Sequence, residues 1–250
     1  MNLFLDFLCR FGWGMAAGLV LTPAAIVSAG FFRVNLLVVL GLATAAALVA
    51  RGVDGAGLVS ILAAAAAAVA WLGSIAWLGE RRQSGRWLCG ATALLLAAAT
   101  ALVAQATVRD GGSGDWVSGA TQAGAALLSG LVSGLAVHAM LLGHWYLNAP
   151  GMRVDTLRRM IDFALAAWGL ELLWSGASLA TAGWPGGGST ATAILSLRWL
   201  AGLAGLPILL VLARKTLDIP NTQSATGILY VACLAAILGE LTAQLLQAFV

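Results

Sequence analysis

Apolar residues fill eight stretches of the chain, each bounded by a short polar or glycine-containing break: 3–31, 34–50, 57–79, 86–106, 116–148, 155–182, 190–214 and 223–248. About 20 apolar residues in helical form cross the hydrocarbon core of a bilayer. Each stretch therefore predicts a membrane-spanning helix, the second being the shortest. The breaks are Arg33, Arg51–Ala56, Glu80–Gly85, Arg109–Gly114, Asn148–Val154, Gly183–Ser189 and Lys215–Thr222, which leave no room for a soluble domain. The expected fold is all-α: one integral membrane domain over residues 1–250, a polytopic bundle of eight transmembrane helices with short loops. The alanine run Ala63–Ala68 belongs to this pattern as a helix former inside a span.

Composition agrees with the pattern. Charged residues make up 9% of the chain, against roughly 25% in an ordinary soluble domain. The mean hydropathy is +0.95. A soluble core of this size has no means of hiding so much apolar surface.

Charge then gives direction. When the loops are numbered alternately, one side receives Arg33, Arg81, Arg82, Arg86, Arg153, Arg158, Arg159, Arg214 and Lys215, and the other only Arg10, Arg51 and Arg109. Basic residues favour the cytoplasmic side, so both termini are expected outside a cytoplasmic (inner) membrane. Residues 11–22 and Val27-Ser28-Ala29 also resemble a signal peptide and its cleavage site. Cleavage there would put the rich loops outside, so an uncleaved first helix is the expectation. The net charge of +3 is small and sits in loops. It reads as topology, with the lipid bilayer and other protein subunits as partners and no nucleic acid.

The chemistry of a self-contained enzyme is missing from the pattern. Cys9, Cys89 and Cys233 are far apart, with no CxxC and no nearby histidine, so they read as small apolar residues rather than metal ligands or disulfides. There is no GxxxxGK[ST], HExxH or GxSxG, and no GxGxxG ahead of a helix.

Ionisable groups inside spans are costly and each is a functional candidate. Asp6 and Arg10, spaced i,i+4 near the outer end of the first segment, read as an exposed local pair. Asp162 reads as a local partner of Arg158 or Arg159 near the cytoplasmic surface. Glu171, Arg198 and Glu240 lie on three consecutive segments. Their depths from the cytoplasmic ends are roughly 21, 24 and 26 Å at the helical rise. They are expected to form a buried ionic cluster, either a clasp between helices or a proton or ion relay.

The stretch from Ser129 to Asp162 concentrates further polar chemistry. Gly130 and Gly134, beside Ser129 and Ser133, form a GxxxG face that lets another helix approach. His138 follows inside the apolar run, and His144, Trp145 and Tyr146 come near its end, before the break at Asn148-Ala149-Pro150-Gly151. Both histidines of the protein sit on this one segment, about 120° apart around the helix, so they cannot clamp one metal or ligate haem from two helices. A single haem b would need a ligand of another type or from a partner. His138 and Tyr230 lie roughly 13 and 12 Å from the cytoplasmic helix ends. With Trp145 on the face of His138, these three residues are expected to line a cofactor pocket suited to a quinone headgroup. The polar entry DIPNTQSATGILY before Tyr230 reads as a capped helix start, with Asn221 or Thr222 as cap.

The expected function is an integral membrane subunit that contacts quinone or haem within an electron-transfer complex, non-catalytic by itself. In architecture alone, the eight-span plan resembles the membrane anchors of quinol-oxidising respiratory complexes. Alternatives are a small-solute or ion transporter, for which Pro23 and Pro207 would break helices, and a structural or assembly protein without ligand.

Overall fold

The computed structural model describes residues 2–110, 116–148, 153–182, 188–219 and 221–249. The described chain is a series of helices: α1 Leu3–Leu21, α2 Ala29–Arg51, α3 Gly57–Leu78, α4 Arg82–Asp110, α5 Trp116–Asn148, α6 Asp155–Ala182, α7 Ser189–Leu197, a π-helical stretch Arg198–Gly205, α8 Leu206–Thr216 and α9 Thr222–Phe249. With α7, the π-helical stretch and α8 taken as one span, the described residues hold 8 helices long and apolar enough to cross a membrane. The fold is thus the all-α polytopic membrane bundle that the hydrophobic pattern predicts.

The first boundary differs from expectation. The apolar run 3–31 is not one helix. It stops at Leu21, and α2 begins at Ala29 instead of residue 34. The cause is Pro23, which cannot continue a helix and disfavours helical geometry in the residue before it. Thr22 is extended, and its backbone N–H and hydroxyl both bond the Gly18 carbonyl, at 3.1 and 2.8 Å. Arg33 consequently lies in the second turn of α2. The breaks expected at Pro150–Gly151 and at 183–187 lie outside the described residues.

The chain forms two compact units, Met1–Gly134 and Leu135–Val250, with the boundary inside α5. In the first unit α2 packs on α3, α3 on α4, and α1 on both α2 and α4. Lipid tails are as apolar as the side chains, so close packing rather than escape from water must hold such helices together. The sequence supplies small residues for it. Ala63, Ala66 and Ala70 are buried at helical spacing on α3, and Ala43, Ala46, Ala47 and Ala50 on α2. At one end of these helices Trp77 stacks on Phe32, with ring centroids 4.1 Å apart and planes at 10°. Gly85 makes room for the indole: a Cβ there would come within 2.6 Å of Trp77 Cε2.

In the second unit the span α7–α8 packs on α9, and α6 on α8. Gly202 of the π-helical stretch and Gly239 of α9 meet backbone to backbone; a Cβ on Gly202 would lie 2.8 Å from the Gly239 Cα. Pro207 accounts for the π geometry. Its ring would press on the Leu203 carbonyl in a regular α-helix, and it has no N–H to offer that carbonyl. The helix widens instead, so that Leu206 N–H bonds Ala201 O five residues back. Trp168 of α6 donates its indole N–H to the Leu203 carbonyl at 3.1 Å.

Charged groups gather where α6, α8 and the start of α9 meet. Asp162 pairs across helices with Arg214 at 2.9 Å, not with Arg158 or Arg159 of its own helix. Arg158 reaches Asp218 at 3.3 Å and donates to the Leu217 carbonyl. The i,i+4 register made local pairing available, but Arg158 is drawn to the α8 terminus, where the Leu217 carbonyl accepts its hydrogen bond. Asn221 caps α9, its Oδ1 accepting from Ser224 N at 3.0 Å.

Candidate functional site

Among the described residues, one polar constellation stands out in each unit. The first begins at the N-terminus of α1. Asn2 caps this helix, Oδ1 accepting from Phe4 N at 3.0 Å and Leu5 N at 3.3 Å. Asp6 follows in the first turn, where a carboxylate suits the helix dipole. One turn on, Arg10 grips Asp6 with two parallel contacts: Nε donates to Oδ1 at 2.8 Å, and Nη2 lies 2.6 Å from Oδ2. Arg10 Nη1 also donates to Ser129 Oγ on α5 at 3.2 Å. The surroundings are tight. Gly130 rests against the Arg10 backbone, since a Cβ there would lie 2.6 Å from its carbonyl oxygen, and Trp13 Nε1 donates to the Leu127 carbonyl at 2.9 Å.

This corrects the expectation of an exposed local pair. Asp6 is 0% exposed and Arg10 1%. The physical reason is on α5, whose GxxxG face lets α1 approach so closely that the pair is sealed over. An i,i+4 acid–base pair inside an apolar run, one turn from Gly14 and facing a Ser-Gly stripe elsewhere, was the available signal.

The second constellation joins α9 to the C-terminal part of α5 within the second unit. The two helices run antiparallel: Cys233 Sγ donates to Ala136 O at 3.4 Å, and Gly143 faces Thr226, whose Oγ1 would be 2.6 Å from a Cβ at Gly143. Next to the second of these levels Tyr230 Oη lies 3.1 Å from His144 Nδ1. Their rings meet edge to face, with centroids 6.4 Å apart at 77°. Tyr230 is 46% exposed and His144 is exposed beside it, so the pair opens to the surroundings of the helix bundle.

The residues expected to share a pocket are placed differently. Helix α5 does lie beside α9, but Tyr230 meets His144 rather than His138. His138 is 0% exposed, and Trp145 is half-buried on α5. A residue six positions after His138 turns to another face of the helix, and that face is the one α9 approaches at Tyr230.

Two members of the expected cluster of Glu171, Arg198 and Glu240 show hydrogen bonds to other side chains. Arg198, at the start of the π-helical stretch, is half-buried and donates Nη2 to Ser175 Oγ on α6 at 2.8 Å. Glu240 is buried on α9, and its Oε1 accepts from Gln244 Nε2 one turn on at 2.7 Å. Glu171 is half-buried on α6. Equal depth placed the three in one layer, but the rotation of each helix decides partners, and depth carries no information about rotation.

The cysteines Cys9, Cys89 and Cys233 are buried and free. No family model, curated protein or solved structure matches the chain.

Proposed function

We propose that the protein is a membrane subunit of an electron-transfer complex, and that it receives a quinone headgroup from the bilayer at His144 and Tyr230. The observation that carries this reading is the 3.1 Å contact of Tyr230 Oη with His144 Nδ1 on a face open to the surroundings. With Nδ1 accepting from the tyrosine, the neutral imidazole carries its proton on Nε2. That N–H suits a quinone carbonyl, and the tyrosine oxygen suits a quinol hydroxyl. Quinones travel in the hydrocarbon layer, so an entrance on the lipid side needs no channel. The electrons come from a partner subunit. Glu171 lies half-buried on α6, the least enclosed of the eight spans, and such a partner would shield it from lipid.

The test is quinone retention after purification from native membranes, followed by host quinol-dependent electron flow. Loss of one hydrogen bond, worth about 1 kcal/mol, should weaken binding roughly fivefold in Tyr230→Phe. His144→Ala should do the same, and His138→Gln should matter less. Unchanged retention and flow in the Tyr230→Phe, His144→Ala double variant would sink the assignment.

A transporter is the second reading, favoured by the π-helical interruption at Arg198–Gly205. Broken helices line sites in transporters. Solute uptake by proteoliposomes without any redox partner would support it over the quinone reading.

The cytoplasmic membrane and external termini belong to the same proposal, supported by the bias of basic residues. Cysteine labelling at Ser84 and Ser113, in a background without native cysteines, checks it: Ser113 should react from outside and Ser84 should not.

A further inference from the structure

A cavity of about 560 Å³ lies in the first unit, between the end of α1, the turn that follows it and the start of α4. One wall is apolar and is made by Leu19, Val20, Ala24 and Ala25. The opposite wall carries Arg82, Arg86 and Trp87. Arg82, Arg86 and Gly90 recur every four residues, so they share one face of α4. Arg82 is held in place, Nη1 donating to the Ala24 carbonyl at 3.1 Å. Gly90 lines the same cavity one turn further along α4, and a Cβ there would meet nothing within 4 Å.

Two guanidinium groups one turn apart repel each other. Among the described residues neither has a carboxylate partner. Trp87 is 75% exposed beside them, as an indole is at the headgroup level. The site therefore pairs two uncompensated cations at the mouth with a bare, apolar channel one turn further in. Basic pockets between membrane helices recognise anionic headgroups on this principle.

We propose that this cavity binds one anionic phospholipid, its phosphate between Arg82 and Arg86 and an acyl chain running over Gly90 against Leu19 and Val20. A free phosphate satisfies the arginines but leaves the apolar channel empty. A zwitterionic lipid fills the channel but brings its own cation to the mouth.

The purified full-length protein in neutral detergent is titrated with phosphatidylglycerol, phosphatidylcholine or inorganic phosphate. Bound lipid is read by native mass spectrometry and the unfolding temperature in parallel. Phosphatidylglycerol should bind and raise the unfolding temperature, phosphatidylcholine should do neither, and millimolar phosphate should not displace the lipid. Arg82→Gln with Arg86→Gln should weaken phosphatidylglycerol binding by about tenfold or more. Gly90→Leu fills the channel without touching either cation, and should weaken it comparably in a protein that still folds. Arg51→Gln, a basic residue remote in sequence, should leave it unchanged. Equal binding of the two lipids would overturn the proposal, as would full binding by the Gly90→Leu protein. Displacement by phosphate alone would overturn it in favour of a free-anion site.

Discussion

Trp168 donates its indole N–H to the carbonyl of Leu203, 3.1 Å away on the neighbouring span. That carbonyl is the one for which Pro207, four residues on, has no hydrogen to give. The seventh span is broken by its own sequence, and a side chain from α6 supplies the donor that the break removes. In hydrocarbon, where water offers no alternative, such repairs are what allow proline in a spanning helix.

The relationship predicts a coupling. Trp168→Phe should destabilise the protein by about 1 kcal/mol through loss of this hydrogen bond. Pro207→Ala restores a backbone donor and lets the π-helical stretch tighten toward α geometry. In that background Trp168→Phe should cost measurably less. Thermal unfolding of the two single variants and the double variant in one detergent gives the interaction energy. Additive effects would show that the two residues act independently.

A second prediction concerns close helix approach. A Cβ on Gly14 would meet the Gly130 backbone and lie 2.9 Å from the Gly134 Cα. These atoms cannot rotate away as a side chain would. Gly14→Ala should therefore destabilise by about 1–3 kcal/mol, the cost of forced overpacking. Gly41, on the same kind of apolar helix, has open space at its Cβ position. Gly41→Ala should be neutral or slightly stabilising, because alanine loses less backbone freedom in a helix. If both substitutions melt alike, the backbone contact contributes nothing.

Hydrophobic spacing alone was enough to read the eight spans, since length and apolarity are the physical conditions for crossing a bilayer. It failed at Pro23 for an instructive reason. Residues 24–31 are as apolar as the helix before them, so hydropathy sees no boundary where backbone chemistry places one. The polar site was legible as a set of residue types but not as a set of partners. Tyr230 belongs with a histidine on α5, as its depth implied, yet the rotation of α5 selects His144. Arg198 finds a serine on α6, a hydroxyl in reach being a sufficient acceptor. Asp6 and Arg10 were legible as a pair, but their burial depends on glycines more than a hundred residues away, a long-range fact that local spacing does not encode.

The Gly202–Gly239 contact makes a prediction of its own. The two backbones touch where the π-helical stretch crosses α9, and a Cβ on Gly239 would lie 2.7 Å from the Gly202 Cα. Gly239→Ala should cost about 1–3 kcal/mol by overpacking. It should also push the seventh span away from α9 and weaken the Arg198–Ser175 hydrogen bond on the adjoining turn. Crosslinking between cysteines placed at Ser196 and Ser178 would report any such shift, and an unchanged yield with unchanged melting would reject it.

Asp6 and Arg10 form an ion pair within the first span. Both are buried, and the arginine holds the carboxylate with two nitrogens and Ser129 with a third. Removing one member of a buried pair leaves the other charge without its compensation, at about 3–5 kcal/mol. Arg10→Leu should therefore be severely destabilising, with Asp6→Leu close behind. Replacing both by leucine removes the desolvation cost along with the attraction, and such replacements are often neutral or stabilising. The double variant should accordingly be more stable than either single one. Ser129→Ala removes only the outer hydrogen bond and should cost about 1 kcal/mol. Unfolding curves for the four variants separate two roles for the pair. A stable double variant with intact quinone retention and electron flow makes the pair a clasp between α1 and α5. A stable double variant that loses electron flow while keeping its quinone would make the buried charges part of the proton path.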